Sequence, residues 1–592
     1  MRVGLWRIVW VWALLGVAAG AYAQTPLSEQ VSQRLNEIRA GVPNALADEE
    51  LHAKTMGDLD ALLAAIAVGG TRRDEGVLVD VAATRRIARL AAAAPAGERA
   101  EWWAYLTNGD GPGRTLAFAL ADSDEPGGVL RVLGELRQRF GDEKVARYPS
   151  LVTALCVVHD GEEPFSRRVN ENRATSPGPA ALFEYYTSNE RQMLFGVRSV
   201  PPELLVFVVD AAASIDELEW ALDKHRGDRA VGQRFFDISY DREHARSGRP
   251  KRVTEKGFTI QNISRYGGVC ADQCHYAVTV GKAIGVPTAY VTGRGGEVGH
   301  AWVGYLEAKG RGAAWNFDVG RYEEYQGVRG DLLDPQTMET IGDDELGLLG
   351  KLTTVSERQR FAAAAWIDAA GALKAGVRPA PVDPPRRGAE RAGREGVLDL
   401  AELALRQNPA DRRGWALVRD AVTDPAMTMG ERVRWSRVII RLCEDANAEH
   451  FMVGVLGPMI ASMDNALDRI AAWERVLDRV KTKKDLRARI RMTQAADAIE
   501  RGDRHGAYLA YQDVIDTSLN DTRVSRHAVA GAVKMLEDAG KHREAAELLG
   551  GVLRRVDKPG AAAVFSSSSN YNAIRAMAQA YSAKHGVAVA GL

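Results

Sequence analysis

Apolar residues recur at every third or fourth position through most of the first 195 residues, the spacing of helices with one buried face. It predicts helices over Val31–Ile38, the alanine-rich Leu59–Val68, Arg85–Ala94 and Val129–Phe140. In the last of these, Val129, Leu130, Val132, Leu133, Leu136 and Phe140 share one stripe. Breaks fall at Gly69-Gly70, Gly109–Gly113 and Pro126–Gly128. From Pro201 to about Gly350 the texture changes to one helix followed by short apolar runs between glycine loops. Pro379, Pro381, Pro384 and Pro385, beside closely spaced arginines, then mark a solvated linker. The last third is helical again. Its Gly502, Ala507, Tyr511, Val514 and Ile515 reappear 38 residues later as Gly540, Ala545, Leu549, Val552 and Leu553, which predicts an array of helical hairpins.

At the N-terminus, Arg2 and Arg7 precede an apolar run from Ile8 to Ala19. Ala21-Tyr22-Ala23 then sets small residues where a signal peptidase reads. The expectation is a signal peptide over 1–23, cut before Gln24, and an exported protein, periplasmic or extracellular. The run is shorter than the roughly 20 residues that span a bilayer. No later stretch is longer and equally apolar, so stable membrane insertion is not expected.

Composition narrows the field. A chain of 592 residues calls for several domains, and 46% hydrophobic with 26% charged residues is ordinary globular usage. The 77 basic and 78 acidic residues leave a net charge of −1, which argues against a broadly basic surface and a nucleic-acid partner. Four cysteines are too few for a disulfide scaffold, so each thiol has to be weighed for chemistry.

One cysteine stands out. After Tyr266-Gly-Gly-Val, the residues Cys270, Cys274, Ala277, Gly281 and Ile284 fall on one helical stripe. Gly267-Gly268 lets the chain turn sharply into that helix. Cys270 then sits at a helix N-terminus, where unpaired N–H groups favour a thiolate and can receive an oxyanion. Downstream, Pro287–Thr292 is β-branched and apolar, and Gly293–Gly299 is a glycine-rich loop over the site. His300–Leu306 and Ala313–Asp318 alternate like strands. A hairpin across Glu307–Arg311 is expected to set Leu306 opposite Gly312, Gly304 opposite Asn316 and His300 opposite Asp318. The last pair would bring an imidazole and a carboxylate to within about 5 Å at Cβ. An acidic partner fixes the histidine tautomer and favours its charged form, which in turn holds a cysteine as thiolate.

Other chemistry is poorly supported. Cys270, Cys274, His275 and His300 are nominal metal ligands, but no second Cys or His pair has zinc-site spacing, and His275 points away from Cys270 around the helix. No metal or other cofactor is expected. Cys274 reads as core. The glycine loop lacks the dinucleotide-binding pattern, because Val298 stands in the last glycine's place.

Gly267-Gly-Val-Cys270, the stretch Ala283–Gly293, Gly299-His-Ala-Trp302 and Trp315-Asn-Phe-Asp318 resemble the core of the transglutaminase-like superfamily. The resemblance implies a papain-like α+β core with Cys270 as nucleophile, His300 as base and acid, and Asp318 as orienting residue. It includes protein cross-linkers, proteases, amidases and inactive members, so it does not choose an activity. Relatives often use an upstream tryptophan at the oxyanion. Trp220 is distant in sequence, and Gln261 is the substitute candidate. The C-terminal hairpins are similar to tetratricopeptide repeats, although their period exceeds the usual one of about 34.

The expected fold is therefore multidomain and mainly α, with a central α+β transglutaminase-like (papain-like) domain and a C-terminal helical hairpin array. Its parts are the signal peptide 1–23, a helical region 24–200, the transglutaminase-like domain 201–372, a Pro/Arg-rich linker 373–396 and tetratricopeptide-like helices 397–592. The expected function is cysteine-dependent attack on amide bonds of a protein or peptide, ending in hydrolysis or in acyl transfer to an amine. The alternative is a catalytically silent scaffold, with a protein partner on the helical array.

Overall fold

The computed structural model describes residues 26–295, 298–322, 325, 328–381, 393–446, 448–520, 524–558 and 570–592. The expected signal peptide 1–23, the centre of the linker and Glu297 of the glycine loop lie outside these residues. The protein is mainly helical, with a small antiparallel sheet. It divides into two compact units, Met1–Gly109 with Arg358–Gln407, and Asp110–Glu357 with Asn408–Leu592. This grouping is not sequential, because the chain from Arg358 on, including the last residues of the expected 201–372 domain, returns to the N-terminal helices.

In the first unit, helices Leu27–Ala45, Glu49–Gly69 and Glu75–Ala92 bury their apolar stripes together. The helix Glu357–Lys374 buries a run of alanines, among them Ala362, Ala363, Ala365 and Ala369. Small side chains allow close packing. The Arg86 guanidinium fixes this return by gripping the Asp368 carboxylate with two 2.6 Å hydrogen bonds. The start of the expected linker is tied down as well, with the Ala380 N–H donating to the Ala61 carbonyl at 2.9 Å.

The second unit holds the candidate chemistry. A two-stranded hairpin, β1 (Ser166–Val169) and β2 (Asn172–Thr175), interrupts the region expected to be wholly helical. Asn170 turns it with a φ of +53°, a conformation that asparagine tolerates. The main sheet has the order β5-β4-β3-β6-β7 and is antiparallel throughout. Its strands are β3 (Thr288–Gly295), β4 (Val298–Lys309), β5 (Gly312–Asn316), β6 (Asp331–Leu333) and β7 (Thr340–Gly342). The helix Cys270–Ala283 packs on β3 and β4 and is buried on nearly every side, which explains its weak amphipathic pattern.

The β4–β5 register differs from expectation. Tyr305 faces Asn316, Leu306 faces Trp315 and Lys309 faces Gly312. The β-turn is therefore tighter, and the strand ends at Asn316. Its side-chain oxygen accepts the Asp318 N–H at 3.0 Å, a local turn that competes with the ladder. Asp318 consequently lies beyond the sheet and is not opposite His300.

The C-terminal helices form hairpins, including Lys484–Glu500 with Arg504–Ser518 and Val524–Asp538 with His542–Arg555. The 38-residue offset has a structural meaning. Gly502 and Gly540 both take left-handed φ values, +81° and +71°, after the first helix of each pair. Ala507, Tyr511, Val514 and Ile515 enter the same core as Ala545, Leu549, Val552 and Leu553.

Candidate active site

The approach to Cys270 depends on two glycines. Gly267 has a φ of +79°, and a Cβ there would lie 2.4 Å from the Ser239 carbonyl oxygen. A Cβ on Gly268 would strike the Asp272 side chain. Without those atoms the chain lies against Ser239–Asp241, with Gly268 N–H donating to Ser239 and Asp241 N–H donating to Gly268. Val269 then caps the helix in an extended conformation, and Cys270 is its first residue. The Val269 N–H donates to Asp272 at 2.8 Å. Asp272 in turn takes two hydrogen bonds from the Lys251 ammonium, at 2.6 and 2.8 Å, with both side chains fully buried. Glu171, in the β1–β2 turn, lies 3.3 Å from the same ammonium. This ion cluster anchors the first turn and leaves no charge unpaired in it.

Cys270 is half-buried, whereas Cys156, Cys274 and Cys443 are buried. Burial pushes the Cys270 thiol above its ordinary range. Hydrogen bonding from the backbone at Ala301, Ala271 and Cys270 itself pulls the other way, and the Asp272 carboxylate adds to the rise. The helix-start effect is thus present but outweighed by desolvation. The contact with Ala301 also brings the sulfur to β4 beside His300.

His300 is buried and its ring is pushed down to about 4, chiefly by desolvation, against the pull of a hydrogen bond to Gly320. Its Nε2 lies 2.6 Å from the Gly320 carbonyl. A carbonyl only accepts, so Nε2 carries the hydrogen and Nδ1 holds the lone pair in the neutral ring. Tyr322 stacks on the imidazole at 4.4 Å and Tyr325 lies against it at 4.6 Å. Gly320 is itself pressed on Phe235, with a φ of +80° and no space for a Cβ. Arg321 secures the following turn through Tyr325, Val328 and Asp343, with its guanidinium over Trp302.

The structure thus sets the Cys270 sulfur on the backbone of Ala301, the residue after His300, and places Asp318 past the end of β5. Asp318 is exposed, and its charge is felt at Tyr305. Gln261 is the second residue of the short helix Ile260–Tyr266 and has a buried, unpartnered Oε1, but the groups that meet the sulfur are backbone amides. Cys274 is core, as its S–H donates to the Trp302 carbonyl at 3.0 Å. His275 stacks on Phe258 and is pushed down to about 3 by burial and by Arg167, Lys282 and Lys251. Among the described residues, no three His, Cys, Asp or Glu side chains are grouped to hold a metal ion. No described helix is long and apolar enough to cross a membrane.

The sequence reading missed the Gly320 carbonyl, the tyrosines on His300 and the Lys251–Asp272 pair. Only Asp272 carried a local signal, an acid in the first turn of a helix entered through two glycines. Compared with protein-family models, curated proteins and solved structures, the chain matches none, and the reading of this site rests on its own geometry.

Proposed function

We propose that the protein is a cysteine-dependent amide-attacking enzyme acting on a protein or peptide, with Cys270 as nucleophile and His300 as base and acid. The observation that carries this reading is the Cys270 sulfur at a helix start, bonded to the backbone next to a histidine whose tautomer is fixed by Gly320. At rest, the raised thiol and the lowered imidazole make a neutral pair. As sulfur attacks the amide carbonyl carbon, its proton passes to His300 Nδ1 and the C–S bond forms. The carbonyl electron pair moves to oxygen, where the N–H groups of the first helical turn can stabilise it. Collapse breaks the C–N bond, and the imidazolium returns its proton to the leaving amine. Water or a second amine then releases the thioester by the same steps in reverse. Asp318 remains the acidic residue that the superfamily resemblance implies, but in this reading the Gly320 carbonyl orients the ring.

Cys270→Ala and His300→Ala should each abolish amide cleavage or amine incorporation while the fold is kept. Full activity in Cys270→Ala would refute the assignment. Export belongs to the same proposal: N-terminal sequencing of the exported protein should begin at Gln24, and a retained Met1 on membranes would contradict it. A silent scaffold is the second reading, favoured by the burial that raises the thiol and lowers His300. Inactivity of the intact protein on every amide substrate, with a partner captured by the helical array, would support it instead.

A further inference from the structure

Gln273 lies one turn after Cys270, at i+3 on the same helix, where side chains are neighbours. It is only 4% exposed. Its Nε2 donates to the Ile238 carbonyl at 2.8 Å, and this bond fixes which end of the amide is oxygen. The other end, Oε1, is buried without a hydrogen-bond partner. Long side chains on a helix lean back over the preceding turn, here the turn that carries Cys270. Ile238 also leads directly into the Ser239–Asp241 segment that lies along Gly268. An acceptor left unpaired in such a place carries a desolvation cost. The thiol of Cys270 is the mobile donor one turn away.

We propose that Gln273 is a positioning residue whose Oε1 accepts the S–H of the resting Cys270 thiol, holding it protonated until the sulfur turns toward His300. This rests on the reading of Cys270 as the nucleophile. No bond is made or broken in the resting state. The thiol rotates about its side-chain torsion, gives up one acceptor and meets the other. Ionisable groups near the thiol are Asp272 with its partner Lys251, Cys274 one turn on, Tyr240, Tyr290 on β3 and His300 on β4. Gln273→Met and Gln273→Glu leave all of these in place. Both also lose the bond to Ile238, so any purely structural effect is common to the two.

The test is the pH dependence of iodoacetamide alkylation at Cys270 in the full-length protein, followed on the Cys270 peptide by mass spectrometry. Cys270→Ala supplies the background. Gln273→Met removes the acceptor, so alkylation at pH 7 should be about three- to ten-fold faster and the profile should move to lower pH. Gln273→Glu offers a stronger acceptor with a negative charge, so the profile should move to higher pH. Gln273→Asn, whose amide is shorter by one methylene, should follow the methionine variant if the buried carboxylate prevents folding. Profiles that move in the same direction for Met and Glu, or that do not move for Met and Asn, would overturn the proposal. Alkylation requires no substrate, so this result is separate from whether Cys270→Ala abolishes amide cleavage.

Discussion

Asp124 is expected to make stability fall as pH rises, and replacing it should remove that contribution. It is buried where the turn after helix Gly113–Ala119 meets the β6–β7 turn. One oxygen accepts from Ala121 N–H and Gln336 Nε2, both at 2.8 Å, while Oδ1 has no partner. Burial, opposed by these two bonds and assisted by Asp160 and Asp334, raises the carboxyl from 3.8 to about 7. The folded chain therefore keeps a proton that the unfolded chain releases. The relative stabilisation is complete below about pH 4 and is lost progressively as pH rises through 7. A difference between 3.8 and about 7 corresponds to about 4 kcal/mol, an upper figure because relaxation and water entry soften it. Asp124→Asn keeps the shape and one acceptor oxygen without the charge. In urea unfolding, the variant should gain up to about 4 kcal/mol over the natural protein at pH 8 and only about 1 kcal/mol at pH 4.5. An equal difference at the two pH values, or a less stable variant at pH 8, would refute the reasoning.

Other outcomes follow from the same structure. Asp318→Asn should lower turnover by less than ten-fold, because Gly320 holds His300, whereas a true third triad member would cost about 10⁴. Gly267→Ala should destabilise the protein by more than about 1 kcal/mol in thermal unfolding and slow Cys270 alkylation, since its Cβ collides with Ser239. Leu549→Ala, at a fully buried repeat position, should cost about 2–5 kcal/mol by denaturant titration. Asp368→Ala, which removes two 2.6 Å hydrogen bonds from the Arg86 guanidinium, should cost about 1.5–3 kcal/mol, read by the same titration.

Periodic segments were legible in the sequence because a helix or strand writes its buried face into neighbouring residues. Val129–Phe140 and the paired hairpins around Gly502 and Gly540 are of this kind. The β4–β5 pairing was legible only as a pairing. Its register depended on where the turn closed and on the Asn316 side chain capturing Asp318 N–H, and neither leaves a periodic trace. The Gly320 carbonyl was invisible for a simpler reason, since a backbone acceptor has no residue type. Lys251 and Asp272 lie 21 positions apart and meet only once the chain folds. Equally, the helix start at Cys270 suggested a lowered thiol, but the surrounding burial that reverses it belongs to tertiary packing.

The proposed chemistry requires above all that Cys270 carry the acyl group. The full-length protein would be incubated with protein extract from its native compartment, quenched in acid and digested, and the Cys270 peptide would be examined by mass spectrometry. The prediction is a thioester adduct on Cys270, absent from Cys270→Ala and strongly reduced in His300→Ala. Amide cleavage or amine incorporation that proceeds with no adduct on Cys270, and equally well in Cys270→Ala, would contradict it.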